Sequence, residues 1–345
     1  MDQKVLITTA NQMVSSGRGI LAADESSGTI KKRLDNINVE STEENRRDYR
    51  ELLFTTKGIE NYISGVILFD ETIRQSSSNN VPFPELLSTK GIVPGIKVDM
   101  GAKDLALSHG EKITEGLDGL RERLLEYVQL GAKFTKWRAV IEIKDGGLPS
   151  QLCIELNAHA LARYAALSQE SGLVPIVEPE VLMDGKHTID HCKEVTERTL
   201  KTVFHELFKQ NILLEGMVLK PNMVISGSDC AEQADSNEIA AKTVGTLLRC
   251  VPSSVPGITF LSGGQTDTFA TQNLNAMNAL DSHPHPWELS FSYGRALQAA
   301  CLKAWNGNSD NLENAQKVFS HRCKCNSAAR DGSYSEKTEQ EISAA

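Results

Sequence analysis

The sequence predicts an α/β chain closed into a single (β/α)8 barrel of the TIM type. Three observations predict it. Short β-branched or apolar runs recur, each followed by a turn and a longer segment whose apolar residues return at three and four positions, the pattern of repeated strand–helix units. Eight such runs can be counted. Nearly all end in a residue with chemistry to offer, and a closed sheet brings those ends to one mouth, whereas an open doubly wound sheet spreads them apart.

In order, the strands are read at residues 19–23, 63–69, 95–98, 134–140, 174–177, 216–219, 258–261 and 289–293. Crossover helices are read at 117–130, 152–171, 195–210, 239–249 and 296–305 from their helical apolar spacing. The segment 76–84 is polar, carries prolines and reads as a loop. Residues 1–325 are expected to form the barrel. The stretch 326–345, rich in Ser, Ala and charge, is expected to be a mobile tail.

A length of 345 residues suits one barrel domain, and 40% hydrophobic with 23% charged residues suits a proper core. The net charge of -9 argues against a nucleic-acid partner held by general basicity, so any anion site must be a concentrated pocket. The seven cysteines have no spacing that suggests a disulfide framework or a zinc ribbon, and read as reduced thiols. There is no apolar signal core at the N-terminus, no run near the roughly 20 apolar residues of a spanning helix, and no peroxisomal tripeptide in EISAA. The expectation is a cytoplasmic protein with no membrane partner.

Three lysines interrupt apolar strands: Lys97 in GIKVDM, Lys136 in FTKWRAV and Lys220 in MVLKPNM. Burial disfavours a lysine cation, and a neighbouring ammonium disfavours it further, which is how an amine becomes nucleophilic near neutral pH. One such lysine reads as a snorkelling side chain; three together read as a site. Pro221 lacks the N–H that a ladder needs, so Lys220 should be the last residue of its strand, at the mouth. Asp24, Glu178 and Glu180 supply carboxylates for proton transfer, although VEPE by itself reads equally well as a charged turn. The LSGGQ and YGR segments place Ser262, Gly263, Gly264, Gly294 and Arg295 after the last two strands, the habitual phosphate position of this fold. Arg33, Lys97 and Arg138, with Ser26 and Thr29, form a candidate second anion site. Two such grips imply a small substrate phosphorylated at both ends. His187 and His191 have helical spacing but no further ligand set beside them, and read as surface residues rather than as a metal site.

The blocks GILAADESSGTIKKRL, GIKVD, KWRAV, VPIVEPEVL, LLEGMVLKPNM, TFLSGGQ and SFSYGRALQAACLKAW resemble the class I fructose-1,6-bisphosphate aldolases, in the family's order, over roughly residues 10–325. That resemblance implies a metal-free, cofactor-free glycolytic and gluconeogenic lyase that cleaves fructose 1,6-bisphosphate to dihydroxyacetone phosphate and glyceraldehyde 3-phosphate. It implies an imine on Lys220, acid/base work by Glu178, orientation by Asp24, electrostatic support from Lys136 and a supporting position for Glu180. It further implies a homotetramer. It leaves open the choice between fructose 1,6-bisphosphate and fructose 1-phosphate.

There are two departures from the family pattern. Met100 stands where the family usually has a lysine after the aspartate of KVD, which is expected to matter little. Many members end in a tyrosine that assists proton exchange on the enamine, whereas this sequence ends in Ala345, with Tyr334 the only tail tyrosine. Cleavage is therefore expected to be retained and enamine protonation to be slow, unless Tyr334 or water takes the role. A transaldolase-like enzyme, a zinc-dependent aldolase and a non-catalytic barrel are rival readings. Two phosphate grips, the lack of a histidine cluster and the presence of Lys220, Glu178 and Asp24 count against them in turn.

Overall fold

The computed structural model describes residues 2–280 and 284–341. The chain runs α1 (Gln3–Met13), β1 (Gly19–Ala23), α2 (Ser27–Asp35), α3 (Glu43–Thr55), β2 (Ile63–Leu68), α4 (Asp70–Ile73), α5 (Phe83–Thr89) and β3 (Val93–Lys97). A hairpin of β4 (Ala102–Asp104) and β5 (Lys112–Thr114) precedes α6 (Leu120–Gln129), β6 (Phe134–Ile141), α7 (Gln151–Glu170), β7 (Val174–Val181) and α8 (Ile189–Lys209). There follow β8 (Val218–Leu219), α9 (Ser236–Cys250), β9 (Gly257–Phe260), α10 (Asp267–Asn278), β10 (Glu288–Tyr293), α11 (Arg295–Trp305), α12 (Leu312–Arg330) and α13 (Glu336–Gln340). Apart from the hairpin, the strands pair in chain order, and β10 returns to β1 in parallel, closing the predicted barrel.

The largest departure from the predicted strands falls on β7. It continues four residues past 177 because β6 runs beside it, with Arg138 opposite Glu178 and Val140 opposite Glu180. The charges of VEPE thus lie on the barrel wall rather than in a turn. β8 is shorter than expected, since Leu214–Gly216 forms a 3-10 turn before it.

Inside, the barrel has two layers. Alternate residues of each strand face the interior, and those near the N-terminal ends are apolar. Ile20, Ile67, Val93, Phe134, Val174, Ile176 and Val218 form one buried cluster with Leu6, Ala10 and Met13 of α1, which closes that end. Phe134 fills the space between the strands opposite Gly95, where an added Cβ would sit 2.3 Å from its ring, and beside Gly65, where the distance would be 3.2 Å. The charged residues occupy the layer above.

The C-terminal helix carries the chain past the expected start of the tail. Composition misses this because polar groups, not apolar area, hold the segment. Arg330 donates to the carbonyls of Val14 and Ser15 at 2.5 and 2.6 Å and pairs with Glu288 at 2.7 Å. Asn326 accepts from Thr271 at 3.0 Å. Beyond it, Glu339 takes Arg322 on one oxygen at 2.5 Å and the Tyr334 hydroxyl on the other at 2.7 Å. Residues 342–345 of the expected tail lie outside the described residues. Among the described residues, no helix is long and apolar enough to cross a membrane. All seven cysteines are free thiols, and burial pushes Cys301 up to about 12.

Gly95→Ala should lower stability by about 1–3 kcal/mol, the usual cost of overpacking, as read from the denaturant midpoint. Gly245→Ala, in α9 with open space around its Cβ position, should instead raise stability by up to about 1 kcal/mol through helix propensity. Equal effects would contradict the filling of the barrel floor by Phe134.

Candidate active site

At the C-terminal ends of the strands lies a cavity of about 670 Å³, and it is lined by all the lysines, carboxylates and phosphate-grip residues named from the sequence, though not by Tyr334. Strand geometry explains the convergence. On β6, Lys136 and Arg138 are two residues apart and so share the interior face; on β7, Glu178 and Glu180 do the same. Lys97 closes β3, opposite Lys136. Lys220 follows β8 directly, its N–H donating to the Val177 carbonyl at 2.8 Å before Pro221 interrupts the donors. Asp24 follows β1 in the same way.

The central group is a chain of buried charges. Glu178 lies 3.0 Å from Lys220 Nζ through Oε1 and 3.1 Å from Lys136 Nζ through Oε2, the second contact being a charge pair without hydrogen-bond alignment. Lys136 also meets Asp24 at 2.7 Å. Burial opposes ionisation of Asp24, but Lys136, Lys220 and Lys97 outweigh it and hold the carboxyl well below its usual range. Burial likewise opposes the Glu178 carboxylate, and Lys136, Lys220 and Arg138 outweigh it, so its pKa is also lowered. For Lys136 burial is overcome by Asp24 and Glu178, which raise its pKa and keep it an ammonium. Lys220 is the amine at the end of this chain, with an ionised carboxylate beside its nitrogen.

The outer residues are tied in pairs. Asp99 accepts from Lys97 at 2.5 Å and from the N–H groups of Gly101 and Arg138 at 3.0 and 3.3 Å. Arg138 pairs with Glu180. Arg33 pairs with Glu25, which also meets Arg50 at 2.5 Å and accepts from Gln298 at 3.0 Å. Arg33 also lies close to Gly294, a Cβ on which would be 3.7 Å from Nη2, so this arginine stands between the two expected grips. Ser26 and Thr29 share a hydroxyl contact of 3.2 Å at the start of α2.

After β9, Gly263 adopts a left-handed φ of +56°, which favours glycine, and brings Ser262 and Gly264 into the mouth. Gly294 caps α11 and Arg295 opens it, so the helix presents unpaired N–H groups and a positive dipole end beside that loop. Arg295 donates to the Gly263 carbonyl.

Asp99, Arg50 and Gln298 receive no role from the sequence. Asp99 was legible in GIKVD as a charge beside a strand end; Arg50 and Gln298 lie on α3 and α11, where no spacing signals that they meet Glu25. Tyr334 does not line the central cavity: it borders a separate groove with Asn275 and Glu339. His187, expected at the surface, is buried with neither ring nitrogen hydrogen-bonded, because α8 begins only at Ile189 and the preceding loop packs against Gly227. Burial pushes its pKa down. His321, Cys325 and Glu339 cluster elsewhere. Arg322, Tyr334 and the carbonyls of Thr338 and Glu339 already engage them.

The family profile described as glycolytic fructose-bisphosphate aldolase class-I matches residues 5–345. A probable fructose-bisphosphate aldolase class 1 of Xylella fastidiosa is 58% identical over 335 residues, covering 97% of this chain and 99% of the relative. Fructose-bisphosphate aldolase 1 of Toxoplasma gondii is 55% identical over 332 residues, covering 96% and 91%. A crystal structure of the Plasmodium falciparum fructose-bisphosphate aldolase, in complex with TRAP and a small-molecule inhibitor, superposes with a TM-score of 0.94 at 50% identity, covering 96% of this chain and 95% of that one.

Lys136→Met should lower stability at pH 7 by about 3–5 kcal/mol, because it leaves buried carboxylates without their shared cation. Depressed carboxylates stabilise fully above their ordinary pKa, and that stabilisation is lost as pH falls through the depressed values. In the variant burial weighs more heavily and both pKa values rise, so protonation near pH 4 relieves the buried charge and the deficit should shrink. Urea titrations at both pH values check this; a pH-independent deficit would contradict the role given to Lys136.

Proposed function

The chain belongs to the class I fructose-bisphosphate aldolases, a family of carbon–carbon lyases, and from that premise we propose that it cleaves fructose 1,6-bisphosphate through an imine on Lys220. The observation that carries the proposal is the sharing of Glu178 between Lys220 and Lys136. Deprotonated Lys220 Nζ adds to the substrate ketone. Glu178, 3.0 Å from that nitrogen, exchanges the protons that turn the carbinolamine hydroxyl into departing water. The protonated imine then draws the electrons of the bond between the third and fourth sugar carbons as a carboxylate takes the C4 hydroxyl proton. Glyceraldehyde 3-phosphate leaves first. The enamine is protonated, the imine hydrolysed, and dihydroxyacetone phosphate released.

The remaining residues take supporting roles. Lys136, held as an ammonium, balances Glu178 and Asp24 throughout. Asp24 orients the imine nitrogen and a substrate hydroxyl, while Glu180 fixes Arg138. Ser262, Gly263, Gly264, Gly294 and Arg295 bind one phosphate. Ser26, Thr29, Lys97 and Arg138 bind the other, and Arg33 stands between the two. The path uses no metal and no cofactor.

We assign the enzyme to glycolysis and gluconeogenesis in the cytoplasm, where its reversible reaction serves both directions. An Arabidopsis thaliana relative named as cytosolic, 54% identical over 329 residues, supports the location. A homotetramer is the assembly we propose. Exposed Leu125 and Val128 on α6 and Leu152 and Leu156 on the adjoining α7 support it, as apolar surface for a second copy to cover.

Borohydride reduction with dihydroxyacetone phosphate should leave a covalent adduct on the peptide containing Lys220, and Lys220→Arg should abolish it. An adduct on another lysine, or on none, would overturn the mechanism. Glu178→Gln should lower kcat by about 10²–10⁴-fold, the usual contribution of a general acid/base. Chelator should leave turnover unchanged.

Tyr334 lies away from the cavity, so Tyr334→Phe should leave proton exchange into dihydroxyacetone phosphate unaltered within twofold. A larger loss of exchange would restore the tyrosine to the proton step.

A further inference from the structure

We propose that Met183 is an internal ligand of the phosphate grip after β9, and that substrate phosphate binds there by displacing its sulfur. The N–H of Gly264 donates to Met183 Sδ at 3.0 Å. A Cβ on Gly264 would lie 2.8 Å from the same sulfur, so the contact depends on glycine at that position. The sulfur also approaches Gly263, and Met183 lines the central cavity beside Ser262 and Arg295. Two of the groups assigned to phosphate are therefore engaged by protein atoms: Gly264 N–H by a thioether, and the Arg295 guanidinium by the Gly263 carbonyl.

The chemistry makes the thioether the partner that yields. Sulfur of this type is a weak acceptor, whereas a phosphate oxygen forms a short, charge-assisted bond with the same N–H. Met183 sits on the loop after β7, whose backbone is pinned independently: its carbonyl accepts from Ser228 N–H at 2.7 Å, and the Gly185 carbonyl accepts from Asp229 N–H at 2.9 Å. The unbranched side chain can leave the grip by bond rotation alone. Met183 thereby satisfies the donor and subtracts a fixed amount from the affinity for phosphate at this end of the substrate.

The displacement presupposes the phosphate grip proposed above, so the test separates the two. Met183→Leu keeps the bulk and removes the acceptor; it should lower KM for fructose 1,6-bisphosphate roughly two- to tenfold, the range of one net hydrogen bond. In the unaltered enzyme labelled with 13C-methyl methionine, inorganic phosphate should shift the Met183 resonance, and Arg295→Ala should abolish that shift and raise KM. If Arg295→Ala raises KM while Met183→Leu leaves it unchanged or higher, the role of Met183 is overturned and the grip stands. If Arg295→Ala leaves KM unchanged, the grip fails and the proposal with it.

Discussion

Glu178 holds Lys220 on one carboxylate oxygen and Lys136 on the other, and Lys136 reaches on to Asp24. Such a chain is costly to place inside a protein, because each ion must be taken out of water. It persists because every charge has a partner at ion-pair distance. Lys97 and Asp99, Arg138 and Glu180 continue the matching of cation with carboxylate around the mouth. Lys220 can thus stand next to an obligate ammonium because one carboxylate is shared between the two.

The barrel provides the setting in which that chain fits. Its floor is apolar and closed by α1, with Phe134 filling the room left by two glycines. The charged layer begins one step further along each strand, where the inward positions are Lys136 on β6, Glu178 on β7 and the Lys220 position after β8. The same two-residue alternation therefore makes both the core and the site. The rim resembles the interior in one respect: its donors are engaged by protein acceptors, Arg295 by Gly263 and Gly264 by Met183. Affinity for a phosphate is a difference between two sets of bonds.

Much of this was legible in the chain. The strand–helix repeat and the chemical residues at strand ends sufficed for the barrel, and Pro221 sufficed to put Lys220 at the mouth, although β8 ends one residue before it. VEPE was harder, because a charged turn and a wall of inward-facing carboxylates have the same local sequence. Pairing with β6 decided between them. How far helical structure continues into the C-terminal segment was not legible for a related reason. Arg330, Asn326 and Glu339 hold it through polar contacts, and composition registers polar residues only as solubility.

By itself the sequence determined the repeat, the family, and which side chains could supply an amine, carboxylates and anion grips, since these follow from residue type and local periodicity. Only the tertiary structure decided which charge neutralises which. Glu25 lies 25 residues from Arg50 and 273 from Gln298, and meets both. Met183 meets Gly264 across a separation of 81. Contacts at such separations arise from barrel closure, which brings the ends of distant strands to one mouth and leaves no trace in local spacing.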